Sequence, residues 1–517
     1  MQEQNESKNG KATEWFRWVA KDLRAYGVTF YVLLALFSMW YVTINLNRGT
    51  AQNTIQMQMI GAIILLGMAG LYLGYKKKIT YENLLLMIIL LGCIMRIGYC
   101  AYNDVFERAH DLWNFDDYEA AGKGTYLMGL ILYKKLPDSY AHQHYHQPFS
   151  YLASALGSLL VKPFLKDTST WMLGSAGKIA NGFASCAVLI MTPKLCKEIK
   201  LSKTATVIST LLVATFPGFF LIAGRIGEDA YSCLFAIACI LYTVKWEKDH
   251  SWKNTILLAF FFGFGVNTNL TCCLPTVYTI FVVVKSFLKE KELRKEIIYK
   301  GEVFLAISLP VGLWFYIRNY CLFRMPFTYT FPQEVGGPLY TGDKTVWERF
   351  IPFHFQNIKD TPFAHAYADY NLPTYMLKTE LFGEFEYANV TTFIPYVLLY
   401  LNLFITVLAF VMMVGKLVRR KFNHNRLSIY IMTAVYFLFT VYSYFTYPYG
   451  CSMDARYFMI YTLLKCMFVG ILVADLSNCA KSTVLWKKVV GSALYFMTAA
   501  ACLIFAATAC SMFCVIV

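Results

Sequence analysis

The feature that most constrains this chain is a succession of apolar runs separated by short clusters of Lys and Arg. A helix needs about 20 mainly apolar residues to cross the hydrocarbon of a bilayer. Tyr31 to Leu46, Ile60 to Tyr75 and Val489 to Val517 are runs of this kind, and others follow one another along most of the sequence. A soluble fold would have no interior large enough to hide them all. With 57% hydrophobic and 15% charged residues, composition points the same way. The fold class read from the sequence is therefore an all-α polytopic membrane protein, with few stretches left over for a separate domain.

The formal charge of +15 raises the question of nucleic acid. The basic residues, however, sit between apolar runs, as in Lys76 to Lys78 and Arg419 to Lys421, which is the pattern by which Lys and Arg set membrane topology. No basic stripe long enough to track a phosphate backbone remains, so a nucleic-acid partner is excluded. The 15 cysteines lie mostly inside apolar runs, where Cys acts as a small hydrophobe, and neither a disulfide framework nor a zinc spacing is present.

Residues 1–25 read as a cytoplasmic lead, because Lys8, Lys11, Arg17, Lys21 and Arg24 precede the first span, and 26–517 as the transmembrane domain. Counting from an inner N-terminus gives about 13 spans and an outer C-terminus. Two large outer loops result, 101–147 and 319–390. The parity works best if Phe149 to Leu165 does not fully cross, or if a short segment near Leu127 to Tyr133 crosses as well. The second loop carries Pro326, Pro332, Pro338, Pro352, Pro362 and Pro373, which predicts ordered irregular structure lying on the membrane face rather than a helical hairpin.

Three groups of ionisable residues fall on the outer side by this count. The first loop holds His110, Asp111, Asp116 and a run of histidines at 142, 144 and 146. Carboxylates there suit general-base work or a divalent ion, and imidazoles suit a metal or a phosphate. Arg225, Glu228 and Asp229 form the second group, and Asp454 with Arg456 the third; Arg318 closes the ninth span on the same side. Guanidinium groups from Arg318 and Arg456 suit a phosphate, which takes planar bidentate donors. The alternative for each is an interfacial anchor or a merely hydrated loop.

From about Leu86 to Gly470 these motifs resemble the membrane glycosyltransferases of the GT-C fold, in particular family 39, which includes protein O-mannosyltransferases and lipid A aminoarabinose transferases. The features that carry the resemblance are His110-Asp111 with Asp116, Leu136-Pro137-Asp138 followed by Tyr145-His146-Gln147-Pro148-Phe149, Gly224-Arg225 with Glu228-Asp229, Ile317-Arg318-Asn319, Leu377 to Glu384, and Met453-Asp454-Ala455-Arg456-Tyr457. The resemblance implies a helical bundle with catalytic outer loops and a multi-pass protein of the plasma membrane, acting on its extracytoplasmic face. It also implies transfer of a hexose or pentose from a polyprenyl-phosphate donor to a protein, glycan or lipid acceptor. In those terms Asp111 matches the loop aspartate that acts as base or binds the acceptor, His146 the histidine of a His-Pro-Pro motif, Asp229 the second acidic position, and Arg456 a phosphate-contacting arginine. Glu228, Arg318, Lys378 and Glu384 are further candidates, with Arg318 and Lys378 assigned to the donor phosphate and His110 and Asp116 as secondary residues. A divalent metal at Asp111 and Asp229 is compatible with the reaction without being required by it.

The sequence departs from the family at Gln147, which replaces the first proline of His-Pro-Pro, at Gly227-Glu228-Asp229, and at Asn267-Thr268-Asn269, where many relatives carry a lysine. Two other readings stay open: a transporter or lipid flippase using the same charges as a relay, and an inactive relative that binds a lipid-linked sugar.

Overall fold

The computed structural model describes residues 22–23, 25–113, 115–116, 122–137, 143–330, 332–351, 353–387, 393–418 and 424–516. The N-terminal lead, the basic cluster at 419–421, Asp138, His142 and the end of the second loop at 388–392 lie outside the described residues.

Nineteen helices follow one another among the described residues. In chain order they are α1 (Val28–Arg48), α2 (Gln52–Tyr75), α3 (Tyr81–Tyr102), α4 (Lys123–Met128), α5 (Phe149–Val161), α6 (Thr170–Glu198), α7 (Lys203–Thr215), α8 (Pro217–Leu221), α9 (Asp229–Asp249) and α10 (Trp252–Val266). After these come α11 (Pro275–Lys289), α12 (Arg294–Phe323), α13 (Val346–Phe350), α14 (Phe355–Asp360), α15 (Leu372–Phe382), α16 (Phe393–Val418), α17 (Leu427–Thr446), α18 (Met459–Ala480) and α19 (Leu485–Ile516). Two extended residues, Tyr340 and Tyr449, form an isolated bridge between the second loop and the turn before α18.

Among the described residues eleven helices are long and apolar enough to cross a membrane, and the bent pair α7 and α8 makes twelve if it is one broken span rather than a re-entrant loop. The 15-residue α10 is apolar but shorter than these, so the described residues give 11 to 12 crossings against the roughly 13 counted from the basic clusters. The open question at Phe149 is answered by length. Helix α5 has 13 residues, about 20 Å at 1.5 Å per residue, which is short of the hydrocarbon thickness. The segment near Leu127 is a single helical turn and a half, α4, continued by a wider turn at Gly129–Tyr133, and does not cross either.

Helices α6, α9 and α18 form the centre, with 78% of the span window of each buried against other helices, whereas only 6% of α2 is. The periphery presents Leu71, Tyr72, Leu65 and Met68 of α2, and Leu503 and Phe496 of α19, to the surroundings. Water would not tolerate such a surface, and lipid does.

The bend between α7 and α8 is 53° and follows from Pro217, which has no N–H to continue the helical ladder. The carbonyls freed there are satisfied by Arg96 of α3, a fully buried residue. Its Nη2 donates to Val213 O at 2.8 Å and its Nη1 to Ala214 O at 2.9 Å, while Nε donates to Ser185 Oγ at 3.1 Å. Ser185 in turn donates to Phe219 O at 2.6 Å. A charge buried this deep persists because each of the three nitrogens finds a carbonyl or hydroxyl.

The first loop has an apolar core of its own, in which Val105, Leu112, Phe115, Tyr126, Leu127 and Tyr151 pack with Ile226. The second loop is irregular, as its prolines predict, but includes three short helices, α13 to α15. Helix α15 is pinned to the bundle from below: Glu380 is ion-paired with Lys465 of α18, and both meet Asn402 of α16, whose Nδ2 donates to Glu380 Oε2 at 3.2 Å.

Candidate active site

The turn between α8 and α9 is held from two sides. Asn181 Nδ2 donates to Arg225 O at 2.5 Å and to Gly227 O at 3.2 Å, and Asn103 Nδ2 donates to Gly224 O at 3.2 Å. This fixes Arg225, Glu228 and Asp229 at one end of the bundle, with all three buried. The first loop closes over them because the Lys123 and Gly124 amides donate to the carbonyls of Asp111 and Leu112, at 2.9 and 3.0 Å. Asp111 itself has a left-handed backbone, φ 56°. Gly383, at φ 63°, ends α15 and turns the chain so that Glu384 follows directly. The turn before α18 is tied to α15 by the Ala455 amide, which donates to Thr379 Oγ1 at 3.0 Å.

Two linked charge groups result. In one, the Lys123 ammonium lies 3.5 Å from Glu228 Oε2, and His146 Nδ1 lies 3.8 Å from Glu228 Oε1. In the other, His110 lies between Glu384, 3.5 Å from its Nδ1, and Asp454, 3.9 Å from its Nε2, and Arg456 Nε is 3.2 Å from Asp454 Oδ2. Arg456 joins the groups, since it acts electrostatically on Glu228 and Asp229 as well as on Glu384. Asp111 and Arg456 both bear on His146. Arg225 stacks on Phe385 at 4.8 Å, and its Nε and Nη1 are buried with no hydrogen-bond partner among the described residues.

The field of this cluster decides its protonation states. Burial pushes the His110 imidazole well below its ordinary value, with Arg456, Arg225 and Lys123 adding to the effect, so His110 is neutral. Burial likewise takes His146 down to about 4. Burial is the largest single influence on the Glu228 carboxyl and would raise it, but Lys123 together with the other positive groups around it, Arg456 among them, outweighs burial and holds that carboxyl well below the usual range. Glu384 goes the other way: burial and the neighbouring Asp454 raise it to about 7. One buried carboxyl is thus held ionised beside a lysine while another takes up a proton near neutrality, next to a Tyr375 hydroxyl that is hydrogen-bonded to it.

Asp111, His110, His146, Glu228, Asp229, Glu384 and Arg456 are therefore brought together. Three other residues expected from the sequence are not. Lys378 is buried in a closed ion pair, with Nζ 3.1 Å from Asp369 Oδ2 and 3.0 Å from Asn357 O, which leaves its ammonium turned away from the site. Arg318 Nη2 donates to Pro137 O at 2.8 Å and Nη1 to Asn319 Oδ1 at 2.9 Å, tying the first loop to the end of α12. Asp116 accepts from Thr170 Oγ1 at 2.5 Å on the exposed side of the loop. Nor do the histidines of the 142–146 run act together, because His144 faces Thr125 Oγ1 at 3.1 Å while His146 faces Glu228.

Sequence reasoning missed Lys123 and Tyr375, and it undervalued Arg225. The lysine absent from 267–269 matters here. Asn267 serves as a brace, with its Nδ2 on Val311 O at 3.0 Å and its carbonyl accepting from the Phe149 amide, and Lys123 brings an ammonium to the site from the first loop instead. Among the described residues the group with metal-ligand geometry is His110, Glu384 and Asp454, whose ligand atoms lie within 4.8 Å of one another. Asp111 and Asp229, the pair the sequence suggested, are not in it. The donor set suits a divalent ion, while Arg456 against Asp454 opposes one.

Comparison with known proteins bears on the middle of the chain. The family model for dolichyl-phosphate-mannose-protein mannosyltransferases matches residues 181–314. No curated protein matches. Among solved structures, the chain is similar to the Archaeoglobus fulgidus oligosaccharyltransferase in its apo form, with a TM-score of 0.47 and 12% identity over 84% of this chain and 56% of that one. It is also similar to the same enzyme tethered to an acceptor peptide containing the NVT sequon, with a TM-score of 0.44 and 12% identity over 83% and 55%. A third similar structure is archaeal AglB of A. fulgidus with an inhibitory peptide and a dolichol-phosphate, with a TM-score of 0.43 and 12% identity over 83% and 56%. The chain spans little more than half the length of these structures. Of the motifs that carry the resemblance to GT-C membrane glycosyltransferases, Gly224-Arg225 with Glu228-Asp229 lies within the matched residues 181–314.

Proposed function

We propose that this protein is a GT-C membrane glycosyltransferase that moves a sugar from a polyprenyl-phosphate donor to an acceptor hydroxyl or amide on the extracytoplasmic face of the plasma membrane. The observation that carries this reading is the buried cluster at one end of the bundle. Arg225 and Arg456 share it with Asp111, Glu228, Asp229 and Glu384, although the residues come from segments hundreds of positions apart. A lipid donor enters from the bilayer, so its phosphate meets protein where helix ends meet loops.

In the reaction the bond between the sugar C1 and the phosphate oxygen breaks, and its electrons leave with the polyprenyl phosphate. The acceptor heteroatom forms the new bond to C1, and its proton passes to a carboxylate. Asp111, half-buried at the edge of the charge cluster, takes that proton, a role worth roughly 10²- to 10⁴-fold in rate. Arg456 meets the negative charge that develops on the leaving phosphate, and the unpaired Nε and Nη1 of Arg225 supply two further donors. Glu228, ionised beside Lys123, orients that lysine toward the same phosphate. A divalent ion at His110, Glu384 and Asp454 would add positive charge there, but no step above depends on it.

The test is transfer by purified protein from a polyprenyl-phosphate sugar. Asp111→Asn is expected to lose transfer while still binding donor. Transfer at the wild-type rate in this variant would overturn the role given to Asp111, and donor binding unaffected by Arg225→Ala and Arg456→Ala together would overturn the phosphate site.

A further inference from the structure

The end of the bundle opposite the charge cluster holds a cavity of about 320 Å³ between the last turns of α6 and α9 and the first turn of α10. Its lining is polar: Lys245, Lys248 and Lys253 face Glu198, Asp249, Ser251 and Asn254, with Tyr242 at one edge. The two carboxylates have partners already. Glu198 Oε2 is 2.6 Å from Lys248 Nζ, and Asp249 Oδ1 accepts from the Ser251 amide at 3.0 Å and from Asn254 Nδ2 at 2.9 Å. Lys245 lies over the Tyr242 ring, at 4.9 Å, and within electrostatic reach of Glu198 and Asp249, and neither it nor Lys253 forms an ion pair among the described residues. Lys194 adds a fourth charge near Lys245. Trp252, 39% exposed on the first turn of α10 and packed edge-on against Tyr299, marks the level of the membrane interface.

We propose that this cavity binds a phosphate-bearing anion between Lys245 and Lys253. The shared chemistry is a phosphate group, supplied either by the headgroup of an anionic phospholipid or by a soluble phosphate. Positive-inside clustering explains why lysines gather at this end. It does not explain why two of them surround a concavity where Glu198 is already ion-paired with Lys248 and Asp249 is hydrogen-bonded to Ser251 and Asn254, a setting in which local potential is focused rather than dispersed into solvent.

The experiment uses the full chain purified in detergent and washed free of lipid, and reads the ligand-dependent rise in thermal unfolding midpoint. Phosphatidylglycerol, phosphatidylcholine with the same acyl chains and inorganic phosphate are titrated in parallel. Phosphatidylglycerol is expected to stabilise and phosphatidylcholine is not. A matching response to inorganic phosphate assigns the site to a soluble ligand, and a response to the lipid alone assigns it to a headgroup. Lys245→Gln with Lys253→Gln is expected to weaken the apparent affinity by roughly tenfold or more, while Lys200→Gln, outside the cavity, leaves it unchanged. No stabilisation by either anion, or a double variant that responds like the wild type, overturns the proposal. Neither result bears on the transferase reading, since the two sites lie at opposite ends of the spans.

Discussion

Glu228 and Lys123 face each other across 3.5 Å as a buried ion pair, although 105 positions separate them in the chain. Breaking a buried pair from one side leaves an uncompensated charge, which costs about 3 kcal/mol or more. Lys123→Met is therefore expected to lower the thermal unfolding midpoint in detergent clearly, and Lys123→Met combined with Glu228→Gln to recover most of the loss. Equal midpoints for the single and double variants would show that the pair is not closed.

Glu384 makes stability depend on pH in a definite direction. Its carboxyl is raised from 4.5 to about 7, so the folded state holds a proton that the unfolded state has already released. The stabilisation is complete below about pH 4.5 and is lost as pH rises through about 7. Unfolding midpoints measured across this window are expected to fall more steeply for the wild type than for Glu384→Gln. Parallel curves would count against the shift.

His146 is held down to about 4, so it serves as a neutral hydrogen-bonding group and not as a cation. With selectively labelled histidine, the ring resonance that vanishes in His146→Gln is expected to stay flat above about pH 5. A midpoint near the ordinary histidine value would place a positive charge beside Glu228 and reverse the assignment.

Arg456 meets Asp454 through Nε and the Tyr457 hydroxyl through Nη2 at 2.8 Å. A lysine cannot reproduce this fork. Arg456→Lys is expected to lower kcat by roughly 10²-fold with the fold intact, as steady-state transfer assays and an unchanged unfolding midpoint would report. A kcat within a few-fold of wild type would move the leaving-group role to Arg225.

Much of this architecture is legible in the sequence because hydrocarbon imposes a simple rule: apolar length sets the spans and basic clusters set their alternation. That rule places Asp111, Glu228 and Arg456 at one end, but it leaves open whether Phe149 to Leu165 crosses, which the 13-residue length of α5 answers instead. It says nothing about which loop side chains meet. Lys378 sits in a motif that reads as functional, yet the face of α15 it occupies turns to Asp369. Lys123 follows a glycine in a loop without a signature, and only the packing of that loop over Ile226 brings its ammonium to Glu228. Loop-to-loop contacts of this kind depend on the apolar core beneath the loop, which has no periodicity to read.

The arginine in the third span gives the bend between α7 and α8 an importance beyond its own neighbourhood. By accepting a fixed charge in the hydrocarbon, the bundle gains a rigid corner whose far arm ends at Arg225, so the aim of the guanidinium that we propose meets the donor phosphate is set by a residue far from it. Substitutions at Arg96 or Ser185 should consequently surface as defects in substrate handling at the membrane face, with the cause lying deep in the lipid-embedded interior.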